Sequence, residues 1–138
     1  MSSALPEAVF HIYPTDCDML GHLNHATMLG FLERARWALL EHHMTAHEMV
    51  RQPVFPVVRH VDIGYLAQTL PGEDLVIRSG IVRVGNTSYT VRQEARKAGT
   101  AELVAEASLV IVAIDRSGVP VAVPGEWKAM MPAWEPPA

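Results

Sequence analysis

The spacing of apolar residues changes once along this chain, at about Pro53. Before it, Met28, Leu29, Phe31, Leu32, Ala35, Leu39 and Leu40 recur with the period of an α-helix. Trp37 and Ala38 add apolar surface on further faces, while the polar positions Thr27, Arg34 and Glu41 fall seven apart, a narrow wet stripe. A helix apolar over most of its circumference is wrapped on several sides rather than lying on a surface. Asn24 suits the N-cap, because its side-chain oxygen accepts an otherwise unpaired N–H of the first turn. The pattern carries the helix to about His43, and Thr45 to Val50 reads as a further turn or two. Ahead of the helix, Glu7 to Tyr13 reads as a strand stopped by Pro14, and Thr15 to Leu23 as a loop closed by Gly21.

After Pro53 the period is that of strands. Val54 to Tyr65 is rich in β-branched and aromatic residues, and Leu70 to Asp74 is a turn. Leu75 to Val84 and Thr87 to Lys97 read as strands joined tightly at Gly85-Asn86. Ala101 to Asp115 is a long strand with Leu103, Ala105, Ala107, Leu109, Ile111 and Ala113 on one face. The other face starts polar, with Glu102, Glu106 and Ser108, and turns apolar at Val110, Val112 and Ile114, which implies surface meant for burial. A strand, one long buried helix and a run of hairpin-linked strands make an α+β pattern with an antiparallel sheet. The chain of 138 residues is read as one domain, 1–138, with its core over about 7–124 and a loose tail over 125–138.

Composition narrows the classes of function. A net charge of -4 gives no support for nucleic-acid binding. No apolar run is long enough to cross a bilayer. Met1 to Glu7 lacks the basic region and apolar stretch of a signal peptide. The one cysteine excludes an internal disulfide and fits a cytoplasmic protein.

The candidate chemistry lies in Asp16-Cys17-Asp18-Met19-Leu20-Gly21-His22-Leu23-Asn24-His25. A helix N-terminus carries unpaired N–H groups and a partial positive charge. A carboxylate and a water beside it can act on a polarised carbonyl. Asp16 is assigned to tying down the loop. His22 and His25 straddle the cap with no third ligand at a suitable spacing, so no metal is expected. Cys17 stands between two carboxylates, which oppose thiolate formation. Glu33 in the helix needs a partner, and Arg36 at i+3 is available.

Asp16-x-Asp18-x-x-Gly21-His22-x-Asn24, followed by Glu33-x-Ala35-Arg36, resembles the hotdog-fold acyl-CoA thioesterases, in particular the 4-hydroxybenzoyl-CoA thioesterase-like family. Tyr65, Pro71-Gly72-Glu73-Asp74, Gly85-Asn86-Thr87-Ser88 and Asp115-x-x-Gly118-x-Pro120 extend the resemblance from about Val9 to Pro124. It implies a six-stranded antiparallel sheet curled around the helix, in a homo-oligomer (a dimer that joins two sheets, or a dimer of dimers) with the active site at the interface. It also implies Asp18 as the catalytic carboxylate, general base or nucleophile, and the backbone N–H of His25 as the oxyanion donor. His22, Asn24, Tyr65 and Ser88 are its candidate substrate-binding residues. No cofactor is expected; CoA enters as part of the substrate. The turn before Ser88 lacks the basic cluster found in some members, so the CoA nucleotide contact comes from elsewhere, such as Arg83, Arg92, Arg96 or Lys97, or is weak. Two other functions share the expected fold: an enoyl-thioester hydratase or dehydratase, and a non-catalytic acyl-CoA-binding domain.

Overall fold

Alternation along β5 (Leu103–Asp115) decides which side of the sheet is buried. Ala105, Ala107, Leu109, Ile111 and Ala113 are all buried, whereas Ser108 between them is exposed. The computed structural model describes residues 5–136. Its other strands are β1 (Glu7–His11), β2 (Val54–Tyr65), β3 (Asp74–Val84) and β4 (Ser88–Lys97). They form one antiparallel sheet in the order β1-β3-β4-β5-β2. Helix α1 (His25–Glu41) lies on its apolar face, followed by the single turn α2 (Ala46–Met49).

The helix buries Met28, Phe31, Leu32, Ala35 and Leu39 in one cluster with Leu75, Ile77, Val91, Leu109 and Ile111 of the sheet. Each large aliphatic or aromatic side chain so buried contributes about 1.5–3 kcal/mol. Phe31 also stacks on Phe10 of β1, ring centroids 5.0 Å apart. The wrapping expected on several sides is not completed within one chain: Trp37 remains 38% exposed.

Three expectations need correction. The sheet has five strands rather than six, and β1 ends at His11, two residues early. Because β1 pairs with β3 only from Asp74 to Arg78, the rest of that edge is free. The tail fills it. The Ile81 N–H donates to the Pro132 carbonyl at 2.8 Å, and the Trp134 N–H donates to the Ile81 carbonyl at 2.9 Å. The tail is therefore not loose over this stretch: Trp127–Met130 forms the short helix α3 and Met131 enters the core. Gly80 makes the docking possible, since a Cβ there would lie 2.6 Å from the Trp134 Cα. Residues 137–138 of the expected loose tail lie outside the described residues.

The third correction concerns the apolar surface. Val112 is already buried within the chain. Val110 and Ile114 are half-buried, and exposed valines lie elsewhere, among them Val57, Val58 and Val61 on β2, a strand at one edge of the sheet. An edge strand presents unpaired N–H and C=O groups along its length.

Candidate active site

The loop before α1 is built from its own carboxylates. Asp16 accepts a hydrogen bond from the Tyr13 N–H at 2.9 Å, and its carbonyl accepts from the Asn24 N–H, the structural role expected of it. Cys17 and Leu23 form a bridge across the loop, and the Leu23 N–H reaches the Thr69 carbonyl at 2.8 Å. Between them the chain turns tightly: the Asp18 N–H donates to the His22 carbonyl, and Gly21, at φ +86°, donates to the Asp18 carbonyl. That φ favours glycine. Burial first, then the Asp16 and Asp18 charges, push the Cys17 thiol up, which keeps it protonated and inert as expected.

Asp18 is half-buried. Its Oδ1 accepts from the Leu20 N–H at 2.9 Å, and its Oδ2 has no hydrogen-bond partner among the described residues. The turn thus orients the carboxylate by one oxygen and leaves the other available.

The start of α1 shows the same economy. Asn24, extended at φ -68° and ψ 139°, accepts from the N–H groups of Ala26 and Thr27 at 2.9 and 3.3 Å. Its carbonyl accepts from Met28. The N–H of His25 has no acceptor among the described residues. The Tyr65 hydroxyl donates to the His25 carbonyl at 2.8 Å, and the two rings meet edge-on with centroids 6.2 Å apart. Tyr65, at the end of β2, therefore fixes the first turn of α1, and burial pushes its hydroxyl pKa up.

His22 and Tyr65 line one side of a 260 Å³ cavity with Gln68 and Thr69. The Thr69 hydroxyl is buried there without a hydrogen-bond partner. Nothing in the local sequence marked Thr69. Asp18, His22, Asn24, His25 and Tyr65 are thus drawn to one end of α1. Ser88 is not with them. It pairs with Val112 and Tyr65 pairs with Ala105, seven residues away along β5, or about 23 Å at strand rise.

Most of the cations considered for the nucleotide are already committed. Arg92 contacts Glu94 and Glu106, Arg96 contacts Glu94, and Lys97 contacts Glu73 and Glu102. Arg83 is exposed and has no ion pair among the described residues. The expected Glu33–Arg36 pair does not form. Glu33 accepts from the Trp37 indole N–H at 3.1 Å, while Arg36 donates to Gln93 at 3.0 Å.

A second cavity, about 410 Å³, lies between the C-terminal half of α1 and the first half of β2. Leu40, Met44, Met49, Phe55, Trp127 and Met131 supply apolar walls. Volume and lining fall in the range of small-molecule sites. No group of three or more His, Cys, Asp or Glu among the described residues could hold a metal ion.

Comparison with known proteins identifies the family and the fold. Residues 12–131 match the model of the thioesterase-like superfamily. The chain is 29% identical over 116 residues to the acyl-CoA thioester hydrolase YbgC of Escherichia coli O6:H1, covering 83% of this chain and 86% of that one. It is 30% identical over 98 residues to the long-chain acyl-CoA thioesterase FadM of Escherichia coli K12, covering 71% and 74%. The crystal structure of YbaW, a probable thioesterase from Escherichia coli, superposes with a TM-score of 0.79 at 26% identity over 90% of this chain and 94% of that one. That of Slr0204, a 1,4-dihydroxy-2-naphthoyl-CoA thioesterase from Synechocystis, shares the fold at a TM-score of 0.81 and 19% identity over 90% and 93%. A curled antiparallel sheet on one long helix, a matched family model over most of the chain and these relatives lead to one conclusion: the chain is a hotdog-fold thioester hydrolase belonging to the thioesterase-like superfamily.

Proposed function

We propose that the chain hydrolyses acyl-CoA thioesters, with Asp18 as the catalytic carboxylate and the His25 N–H as the oxyanion donor. The observation that carries this is the pair of free valences across one tight loop: Asp18 Oδ2 without a donor and His25 N–H without an acceptor among the described residues. A helix N-terminus adds its dipole to that N–H, and a donor already in place needs no reorganisation as the carbonyl oxygen gains charge. As general base, Asp18 takes a proton from water as the water oxygen attacks the carbonyl carbon. The C–S bond then breaks and the proton passes to the leaving thiolate. As nucleophile, Asp18 instead attacks the carbonyl carbon, the C–S bond breaks and the CoA thiolate leaves and takes up a proton, and water then opens the mixed anhydride to the free acid and the Asp18 carboxylate. Tyr65 acts through His25 as a positioning residue, and His22 and Thr69 face the neighbouring cavity. Neither route asks for a metal or redox cofactor.

The large cavity suits an apolar acyl group, and the names of YbgC and FadM point to CoA esters. In one chain it sits around Arg36, about 16 Å along the helix axis from His25. Antiparallel pairing of two β2 edges about a two-fold axis would set the Val54 end of one strand beside the Tyr65 end of the other. The acyl group of one protomer then enters the cavity of its partner, and Ser88 and Arg83 approach the partner's site from the same end. The reading is therefore a homodimer, or a dimer of dimers, in the cytoplasm, where a lone cysteine stays reduced.

A thiol-release screen over aryl-, short-chain and long-chain acyl-CoA esters tests it. Asp18→Asn should lower kcat about 10²–10⁴-fold, the contribution of a positioned proton-transfer group. Activity within about tenfold of wild type, equal to ~1.4 kcal/mol, would remove Asp18 from the mechanism. Hydration of an enoyl-CoA without thiol release would move the chain to the hydratases.

A further inference from the structure

We propose that the large cavity holds an acyl group whose far end carries a carboxylate, anchored by the Arg36 guanidinium and the Tyr89 hydroxyl. The inference rests on the thioesterase reading and names a substrate class for it. Both side chains line the cavity.

Arg36 is a cation in a largely apolar wall with no carboxylate in ion-pair contact among the described residues. Among the described residues no carboxylate approaches it within 4.0 Å, and Glu33, one turn back, is held by the Trp37 indole. Its one hydrogen bond goes to the neutral Gln93. Gln93 is fully buried and donates to the Leu32 carbonyl and the Ser79 hydroxyl, both at 2.9 Å. That amide is fixed from two sides, so it pins the guanidinium in place without pairing its charge to a carboxylate. A guanidinium has five N–H donors and accepts nothing. Here one is used.

Tyr89 supplies a second donor. Its ring is buried against Trp127, with centroids 6.0 Å apart, and its hydroxyl has no hydrogen-bond partner among the described residues. Burial pushes its pKa up to about 12, with Arg36 pulling the other way. The phenol therefore stays protonated in neutral solution beside the Arg36 cation. Glu33 also lines the cavity and its charge acts on Arg36, but its carboxylate is held by the Trp37 indole and makes no ion pair with the guanidinium, so the cation and the protonated hydroxyl both keep donors for a ligand that only accepts. A carboxylate meets that need, and it matches the planar fork of the guanidinium. A methyl-ended acyl chain would fill the apolar walls and leave both donors dry.

Binding tests this without requiring turnover. Quenching of tryptophan fluorescence, with Trp127 and Trp37 both at the cavity wall, reads the affinity of the whole protein for dodecanoate and for its neutral methyl ester. Wild type should prefer the carboxylate at least tenfold. Tyr89→Phe, which deletes one oxygen, should reduce that ratio severalfold, and Arg36→Gln should bring it to about one. Circular dichroism melts check both variants; if Arg36→Gln fails to fold, Tyr89→Phe decides. The same ordering is expected in kcat/KM for ω-carboxydodecanoyl-CoA against dodecanoyl-CoA. Equal affinities in wild type, no binding of either ligand, or a ratio that Tyr89→Phe leaves unchanged would overturn the anchor. Carboxylate preference in a protein that releases no thiol from any ester would overturn the thioesterase reading and leave the anchor standing. Turnover of plain acyl-CoA with no preference would do the reverse.

Discussion

His25→Pro isolates the oxyanion donor, because the structure leaves that proline nothing else to break. The residue before a proline is confined to extended conformations, and Asn24 is already there at φ -68° and ψ 139°. The His25 N–H makes no bond within the described residues, so its loss removes no backbone pairing. Proline is favoured at the first helical position, and at a compatible site it stabilises by about 0.4–1 kcal/mol through the unfolded chain. The His25 carbonyl, which receives the Tyr65 hydroxyl at 2.8 Å, is retained. His25→Ala is the matched control: it loses the same imidazole and its edge contact with Tyr65 but keeps the N–H. Losing one preorganised oxyanion donor costs about 10²–10³ in kcat, or ~2.7–4 kcal/mol. In a thiol-release assay the alanine variant should fall modestly from wild type. The proline variant should fall a further 10²–10³-fold while melting no lower than alanine. Equal kcat for the two would refute the backbone role at this residue. A fall of about 10²–10⁴ already in the alanine variant would make the imidazole the acid or base.

Three further outcomes follow from the fold. Light scattering at micromolar concentration should give at least twice the 15.2 kDa chain mass, and Val61→Lys on the β2 edge should lower it; a fully active monomer would sink the interfacial site. Gly80→Ala should destabilise by about 1–3 kcal/mol through overpacking against the Trp134 backbone. Gly99→Ala, whose Cβ meets nothing within 4 Å, should stay within about 0.5 kcal/mol; equal melting temperatures would show that the tail does not hold its place. Tyr89 has a folded pKa of about 12 against an ordinary 10.0, so its contribution is complete below pH 10 and is lost as pH rises to about 12. Alkaline denaturation should steepen in that window and flatten in Tyr89→Phe; an unchanged curve would refute the burial argument.

What the sequence disclosed was local. Asn24 was legible as a cap because capping depends on a side chain and the two or three N–H groups after it. The face of β5 was legible because alternation carries its own period. The loop from Asp16 to His25 was legible because its residues contact one another. The tail was not, because its docking depends on a missing Cβ at Gly80, more than fifty positions away from Trp134 in the chain. The pairing of Arg36 failed for the same reason. Helical spacing offered Glu33, but the fold offered Gln93, fifty-seven residues on and locked in the core. The misplaced apolar surface has a further cause. Periodicity reports that a face is apolar, not what will cover it: Val112 of β5 is covered from within the chain, Val110 and Ile114 only in part, and β2 is left at the edge.

The unmet valences then separate structure from chemistry. Buried polar groups in folded chains are nearly all paired, and among the described residues Thr69 Oγ1 is the one buried side-chain polar atom without a partner. It faces the cavity beside His22 and Tyr65. The other free groups sit at cavity walls or edges: the His25 N–H at the helix start, Asp18 Oδ2 in the loop, the Arg36 and Tyr89 donors in the acyl cavity and the β2 backbone. Among the described residues the other buried side-chain polar atoms are satisfied by the chain itself, as Gln93 is by three partners, and the Asn24 cap has two. The proposed function gives four of the open groups a second molecule. A thioester carbonyl suits the N–H, water the carboxylate, an anionic acyl end the guanidinium, and a second copy of the chain the edge. On the proposed reading, the loop at Asp18 and the large cavity lie at opposite ends of α1 in one protomer, and antiparallel pairing of two β2 strands would bring one protomer's loop beside its partner's cavity.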